Sequence, residues 1–188
     1  AAQRPVLYLG GGAINAPEPI RQLAEKANLP TTQTLMALGM LPKAHPLSLG
    51  MLGMHGARST NFILQEADLL VVLGARFDDR AIGKTEQFCP NAKIIHVDID
   101  RSELGKIKQP HVAIQGDVGE VLAQLIPQVE AMSKANRELT GPGEGGYGNL
   151  TAFGRAELSG IGERNARRYF TTAERFDAAT AQPAPAPA

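Results

Sequence analysis

The sequence contains no tryptophan, one cysteine and no net charge. With 19 basic and 19 acidic residues, no overall field would attract nucleic acid or an anionic membrane surface. Cys89 cannot form a disulfide within the chain, and no partner at motif spacing turns it into a metal ligand, so no metal site is predicted. No apolar run reaches membrane-spanning length, and the first residues lack the apolar centre of a signal peptide. We therefore expect a cytoplasmic protein without nucleic-acid or membrane partners.

Apolar runs alternate with helical patterns along the first two thirds of the 188 residues. The runs predict strands at 6–9, 31–35, 69–73, 94–97 and 111–114. Apolar residues at helical spacing predict four helices. The first begins at Pro17 or Pro19 and ends before Pro30, the second begins at residue 57, the third lies near 102–107, and the fourth covers 118–129. Residues 36–56, rich in Gly, Pro and Met, predict a long functional loop. The alternation predicts an α/β fold with a doubly wound, mainly parallel, Rossmann-like sheet.

The composition changes after about residue 132. Residues 141–148 are mostly glycine, and the chain ends in a Pro-Ala repeat, so little apolar surface is available to offset the entropy of ordering. We therefore predict a nucleotide-binding domain over 1–132, followed by a linker and a disordered low-complexity tail over 133–188.

The predicted strands end in residues suited to a ligand. Parallel sheets bind ligands beyond the carboxyl ends of their strands, which places these exits on one rim. The exits are 10–12, 34–36, 74–76, 98–100 and 116–117. Any one of them could be ordinary turn chemistry or a solvated charge patch. Glycines let the backbone approach a ligand closely, an arginine can pair with phosphate oxygens, and a carboxylate can accept hydrogen bonds from ribose hydroxyls. Together these residues predict a nucleotide site.

The pattern disfavours ordinary NAD binding. The dinucleotide fingerprint Gly-x-Gly-x-x-Gly has Asn15 in its third glycine place. The second strand ends without the Asp or Glu that holds an adenosine ribose, whereas Asp98 follows a later strand. We therefore expect a nucleotide whose orientation across the rim differs from that of NAD in an ordinary dinucleotide-binding domain.

Three motifs carry a resemblance to a known family. Leu-Gly-Met-His-Gly at 52–56, Leu-Gly-Ala-Arg-Phe-Asp-Asp-Arg at 73–80 and His-Val-Asp-Ile-Asp at 96–100 resemble the middle domain of acetohydroxyacid synthase, also called acetolactate synthase. The resemblance covers residues 4 to about 130 and is greatest to the large catalytic subunit of the bacterial isozyme I type. It implies a thiamine diphosphate enzyme of branched-chain amino-acid biosynthesis whose middle domain binds FAD. It also implies 2-oxo acid substrates and a homo-oligomer with a small regulatory subunit.

The resemblance also implies which residues meet the ligands. The expected cofactor-binding residues are Gly11, Gly12, Thr34, Leu35, Leu52, Gly53, Met54, His55, Gly56, Gly74, Ala75, Arg76, Asp78, Asp98, Ile99, Gly116, Asp117 and Val118. Arg80, Met54 and Asp79 are expected near the 2-oxo acid. Asp78 and Asp79 are expected to orient and neutralise Arg76 and Arg80, with a plain surface network as the alternative.

The same resemblance implies no catalytic residue in this chain. The family takes its thiamine diphosphate and magnesium sites from other domains, and the sequence has no Gly-Asp-Gly motif. We therefore expect the chain alone to bind FAD without catalysing the reaction. A non-catalytic nucleotide-binding module remains an alternative, as does the middle domain of a sibling thiamine diphosphate oxidase or decarboxylase.

Overall fold

The computed structural model describes residues 2–140, 176–177 and 182–183, with side chains described for 2–130. Its centre is a sheet of six parallel strands in the order β3-β2-β1-β4-β5-β6. The strands are β1 (Pro5–Leu9), β2 (Thr31–Gln33), β3 (Ser48–Met51), β4 (Leu69–Leu73), β5 (Lys93–Asp98) and β6 (Val112–Gln115). This order confirms the predicted doubly wound α/β fold. Two further short strands, β7 (Phe176–Asp177) and β8 (Gln182–Pro183), pair antiparallel with each other.

Four helices connect the strands of the sheet or follow them. They are α1 (Pro17–Ala27), α2 (Arg58–Glu66), α3 (Asp79–Ile82) and α4 (Val118–Thr140). Helix α1 begins at a proline, whose fixed φ suits the first turn, and it ends at Asn28 in a left-handed conformation with φ of 51°. Short 3-10 turns lie at Gly11–Ala13, Leu35–Ala37 and Arg101–Glu103. Among the described residues, no helix is both long enough and apolar enough to span a bilayer.

Alternate residues of the central strands pack on opposite faces of the sheet. On one face, Leu7 and Leu9 of β1 pack with α1 and α4. On the other, Val6 and Tyr8 pack with α2 and with two phenylalanines, Phe77 and Phe88, that follow β4. Strands buried on both faces explain the continuous apolar runs in the sequence.

Two sequence expectations differ from the structure. Residues 36–56 are not one long loop, because they contain β3 and part of a 3-10 turn. The sequence did not predict β3, because it is a short edge strand that contains a glycine. The strand is held by its pairing with β2 and by the buried Thr60 hydroxyl, which donates to the Leu49 carbonyl at 2.6 Å. The helix expected near 102–107 is only the 3-10 turn at Arg101–Glu103.

The boundary of the domain stays a prediction. Helix α4 continues from Val118 through residue 132 to Thr140, so the described backbone shows no break at 132. The glycine-rich stretch 141–148 and most of the predicted disordered tail lie outside the described residues.

The order of the strands reverses between β1 and β4. From β1 the chain moves outward to β2 and β3, and it then returns to the other side of β1 to form β4, β5 and β6. The first residues after β1 and β4 touch each other. Beyond this contact the chain continues to α1 on one face of the sheet and to Phe77 on the other, which opens a crevice at the carboxyl ends of the strands. The residues after β1 and β4 form the floor of the candidate site.

The crevice depends on a close contact between Gly74, which follows β4, and the loop after β1. Gly74 has φ of +57°, and a Cβ placed on it would lie 2.5 Å from the backbone carbon of Gly12. We predict that Gly74→Ala lowers the free energy of unfolding by about 3 kcal/mol, because it adds a backbone clash to the cost of a left-handed residue. Urea unfolding of the 188-residue chain measures the change.

Gly50→Ala is the matched control. Gly50 also has a positive φ, +73°, but a Cβ there meets no heavy atom within 4 Å. We expect this variant to lose only about 1 kcal/mol, the cost of the left-handed conformation. Equal losses in the two variants would contradict the role given to the loop contact.

Candidate nucleotide-binding site

A cleft of about 770 Å³ lies at the carboxyl ends of the strands, where the strand order reverses. This volume is within the range of ~300–1,000 Å³ that is usual for small-molecule and cofactor sites. Residues from the exits of β1, β2, β3, β4 and β5 line the cleft. Four of the five predicted strand exits therefore contribute to one concave surface, and the exit at 116–117 does not.

Most of the residues expected to bind ligand lie in this cleft. Those that line it are Gly11, Gly12, Thr34, Leu35, Leu52, His55, Gly74, Ala75, Arg76, Asp78, Arg80 and Asp98. The structure thus brings together residues from five separate segments of the sequence. Their contacts with a ligand stay predictions.

Eight expected site residues do not line the cleft. They are Gly53, Met54, Gly56, Asp79, Ile99, Gly116, Asp117 and Val118. Asp117 illustrates a structural role, because its Oδ1 accepts hydrogen bonds from the backbone N–H groups of Gly119 and Glu120 at the start of α4. Met54 and Ile99 are 68% and 67% exposed, so their side chains are open to a partner or ligand outside the cleft.

Six lining residues were not among the expected ligand-binding residues: Gly10, Met36, Met51, Ala81, Asp100 and Glu103. Gly10, Met36 and Asp100 belong to predicted strand exits, so the exit rule alone would have included them. Met51 ends β3, and it was missed because that strand was missed. Neither Ala81 nor Glu103 carries a signal in the sequence that would have identified it.

The floor of the cleft is formed by two loops in direct contact. Gly10 donates its backbone N–H to the Leu73 carbonyl at 3.0 Å, and Gly12 donates to the Gly74 carbonyl at 2.9 Å. A Cβ on Gly10 would lie 2.2 Å from the Gly74 oxygen. Gly10 and Gly74 are therefore required by contact between loops, whereas the sequence had suggested only close approach to a ligand.

Two arginines give one part of the cleft its positive charge. Arg76 and Arg80 both line the cleft and are exposed. The expected pairing with the two aspartates is not found: among the described residues, no ion pair within 4.0 Å joins either guanidinium to Asp78 or Asp79. Both carboxylates instead accept hydrogen bonds from the backbone N–H of Arg80, at 3.0 and 2.8 Å.

The aspartates act on α3 more than on the guanidinium groups. Asp78 is the N-cap of this short helix, and the bond from the Arg80 backbone N–H, with the two nearby arginines, holds the pKa of Asp78 below its usual value. Asp78 therefore stays ionised at neutral pH. The arginines are left available for an anionic ligand.

Carboxylates line another part of the cleft, after β5. Asp98 is buried, and its Oδ1 accepts the backbone N–H of Asp100 at 2.9 Å. Its Oδ2 lies 4.0 Å from His96 Nε2, beyond hydrogen-bonding distance. Hydrogen bonds from Ser102 lower the pKa of Asp100. Both side chains are acceptors suited to ligand hydroxyls.

Thr34 supplies a polar atom that lacks a partner. Its hydroxyl oxygen is buried and makes no hydrogen bond among the described residues, although the residue lines the cleft. Buried hydroxyls are normally hydrogen-bonded, and an unpaired one costs ~1–3 kcal/mol. The unpaired atom indicates a place for a polar group of a ligand.

The turn after β2 adds an apolar surface beside this hydroxyl. Leu35 and Met36 are 72% and 69% exposed and both line the cleft. Large apolar side chains that are this exposed at a concave surface favour contact with a flat or apolar ligand group. No group of three or more His, Cys, Asp or Glu side chains able to hold a metal ion occurs in the part of the chain that is described.

Comparison with known proteins identifies the family. Residues 1–125 match the family described as thiamine pyrophosphate enzyme, central domain. The chain is 86% identical over 135 residues to the acetolactate synthase isozyme 1 large subunit of Escherichia coli K12, covering 72% of this chain and 24% of that protein. It is 52% identical over 139 residues to the acetolactate synthase large subunit of Corynebacterium glutamicum, covering 73% of this chain and 22% of that protein. A probable acetolactate synthase 2 of rice chloroplasts is 52% identical over 134 residues, covering 71% of this chain and 20% of that protein.

The chain spans about a quarter or less of the length of these relatives. The match to the family covers more than half of the chain and includes all six strands of the parallel sheet. These similarities confirm the resemblance to acetolactate synthase large subunits that the strand-exit motifs carry, and the chain belongs to the family of thiamine pyrophosphate enzyme central domains.

Proposed function

We propose that the chain is the middle domain of an acetolactate synthase large subunit and that its cleft binds FAD. The complete enzyme would condense two 2-oxo acids, pyruvate with pyruvate or with 2-oxobutyrate, with loss of carbon dioxide. The high identity to the E. coli large subunit supports the enzyme assignment. The cleft at the reversal of strand order supports the nucleotide.

The unpaired Thr34 hydroxyl is the observation that carries the cofactor proposal. It is a buried hydrogen-bonding group without a partner in a cleft that also contains a guanidinium, at Arg76, and a carboxylate, at Asp98. FAD offers a matching group for each, since it combines ribityl and ribose hydroxyls with a pyrophosphate. The donors and acceptors in the cleft therefore fit the cofactor that the resemblance implies.

Each part of the cleft has a proposed role toward FAD. The glycine loops and Arg76 would hold the pyrophosphate, while Asp98 would accept a hydroxyl of the adenosine ribose. The exposed Leu35 and Met36, with the neighbouring Thr34, would contact the ribityl chain and the flavin ring. When bound, the flavin would shape the active site without net electron transfer in the main reaction.

Arg80 has a different proposed role. Its guanidinium would hold the carboxylate of the incoming second 2-oxo acid, for which a planar bidentate donor is suited. Met54 and Asp79, which do not line the cleft, would lie near this substrate in the assembled enzyme. Thiamine diphosphate and magnesium would be bound by other parts of the enzyme. The proposal also includes a cytoplasmic homo-oligomer with a small regulatory subunit.

The alternatives predicted from the sequence gain less support. The relatives described above, from two bacteria and a plant, are acetolactate synthases by name. None of these names indicates an oxidase, a decarboxylase or an isolated nucleotide-binding module. The similarity therefore favours the synthase.

The first test of the cofactor compares FAD with NAD. We predict that the 188-residue chain binds FAD and binds NAD much more weakly. Strand β2 ends without a ribose-binding carboxylate, and the Gln33 side chain is already bonded to the backbone of Leu41 at 3.0 and 3.1 Å. Isothermal titration calorimetry with each nucleotide measures the difference, and equal affinities would contradict the proposed orientation.

A second test concerns Arg76. We predict that Arg76→Ala raises the dissociation constant of FAD roughly 30-fold, or about 2 kcal/mol, because a charged hydrogen-bond partner of the pyrophosphate is removed. Arg58→Ala is the control, since Arg58 is also an exposed arginine but does not line the cleft. Equal losses in both variants would indicate a general charge effect and would remove Arg76 from the site.

A further inference from the structure

The end of β4 and the residues that follow it have their backbone carbonyls fixed one after another. Backbone N–H groups of the glycine loop bind the carbonyls of Leu73 and Gly74, as described above. The next two carbonyls, of Ala75 and Arg76, are bound by side chains instead. Four consecutive carbonyls therefore have donors from other parts of the chain.

The two side-chain donors come from the strands on either side of β4. The Tyr8 hydroxyl of β1 donates to the Arg76 carbonyl at 3.2 Å, and His96 Nε2 of β5 donates to the Ala75 carbonyl at 3.0 Å. The strand register places both residues beside Val72. Tyr8 and His96 have no exposed surface, so neither donor group is in contact with solvent.

Phe77 anchors the far end of this segment. Its buried ring meets the rings of Tyr8 and His96 edge to face, with centroids 6.0 and 5.3 Å apart. Ala75 and Phe77 are thus buried on either side of Arg76, whose side chain is exposed and lines the cleft. Arg76 is held between two fixed neighbours and through its own carbonyl.

We propose that Tyr8 and His96 are positioning residues that fix the backbone at residues 75–77 and thereby hold the Arg76 guanidinium in the cleft. Neither residue lines the cleft, so both act on a ligand through Arg76. Preorganising a charged group that binds a ligand lowers the cost of ordering that group on binding. The inference rests on the proposed function, because its consequence is measured as FAD affinity.

The protonation states suit this role at neutral pH. Burial raises the pKa of Tyr8 above its usual value, so the hydroxyl retains its proton. Burial also lowers the pKa of His96, so the ring is neutral and its proton lies on Nε2, since a carbonyl only accepts. The Nδ1 atom of His96 is buried and has no hydrogen-bond partner among the described residues, which leaves Ala75 as the acceptor that sets the tautomer.

The experiment is a double-mutant cycle on the 188-residue chain. Tyr8→Phe removes the hydroxyl and keeps the ring that packs against Phe77. We expect it to weaken FAD binding about fivefold, within the range for loss of one hydrogen bond. In the Arg76→Ala background we expect Tyr8→Phe to cause no further loss, because the residue that it positions is gone.

Thr31→Val is the matched control. Thr31 is also fully buried, and its hydroxyl donates to the Leu29 carbonyl at 2.9 Å, but it lies outside the cleft and the segment 75–77. It should lower stability as Tyr8→Phe does while leaving FAD affinity unchanged. Equal FAD affinities of Tyr8→Phe and Thr31→Val, or an equal loss in both backgrounds, would overturn the proposal.

His96 is tested by a pair of variants of similar size. His96→Gln keeps an N–H donor near the position of Nε2, whereas His96→Met removes it. We expect the glutamine variant to retain FAD affinity and the methionine variant to lose about fivefold, the effect of one hydrogen bond. Equal affinities of the two variants would overturn the role of His96.

A second measurement separates this inference from the cofactor proposal. Backbone ¹⁵N relaxation without any ligand should show lower order parameters at 75–77 in Tyr8→Phe and unchanged ones in Thr31→Val. If the unmodified chain binds no FAD, the cofactor proposal fails, and lower order at 75–77 would still support the positioning of Arg76. Unchanged order parameters in Tyr8→Phe would overturn the positioning itself.

Discussion

The candidate site depends on one steric constraint, the contact between the loop after β1 and the segment after β4. There is no room for a side chain between Gly10 and Gly74, because a Cβ on either would overlap the backbone of the opposite loop. The contact lets each loop supply hydrogen-bond donors or acceptors to the other. It also brings the exit of β4, with Arg76, to the point where the strand order reverses. The position of the arginine thus follows from two residues that have no side chain.

The polar groups of the cleft are separated by the order of the strands. Both arginines of the cleft follow β4, together with Asp78, and the other carboxylates follow β5, its neighbour in the sheet. The apolar residues Leu35 and Met36 follow β2, on the other side of β1. A ligand across all of these exits would meet an apolar surface, then cations, then hydroxyl acceptors. FAD presents its flavin, pyrophosphate and adenosine ribose in that order along its length.

The sequence predicted the central sheet well, because continuous apolar runs and the glycines that end the strands are local patterns that can be read directly from the sequence. It predicted that the strand exits share one rim, because the geometry of parallel sheets leaves little freedom there. It did not predict β3, since a short edge strand containing glycine has no pattern of its own and depends on pairing with β2. It did not predict the hydrogen-bond partner of Asp78 and Asp79, the backbone N–H at the start of α3, since residue types alone favoured guanidinium groups. The two arginines act on Asp78 through their charge without a contact within 4.0 Å.

Tyr8 and His96 show another limit of prediction from sequence. In the sequence both read as members of buried strands, and the strand pattern explains them without any polar role. Their importance appears only when the register places them side by side around Val72, with the following carbonyls within reach. A polar side chain in an apolar strand was the available signal, but its acceptor is distant in the sequence.

The central place of β4 has a consequence for the order of folding. Strand β4 pairs with β1, although α1, β2, β3 and α2 lie between the two strands in the sequence. The β1–β4 pairing therefore closes a long loop of the chain. Closing long loops costs entropy before any contact offsets it, and such pairings form slowly. The local units of β1 with α1 and β2 can assemble earlier, but they contain none of the residues that follow β4. The cleft is therefore complete only after this long-range pairing. If the cleft binds a nucleotide as proposed, the gain of nucleotide affinity during refolding would report the joining of the two halves of the sheet.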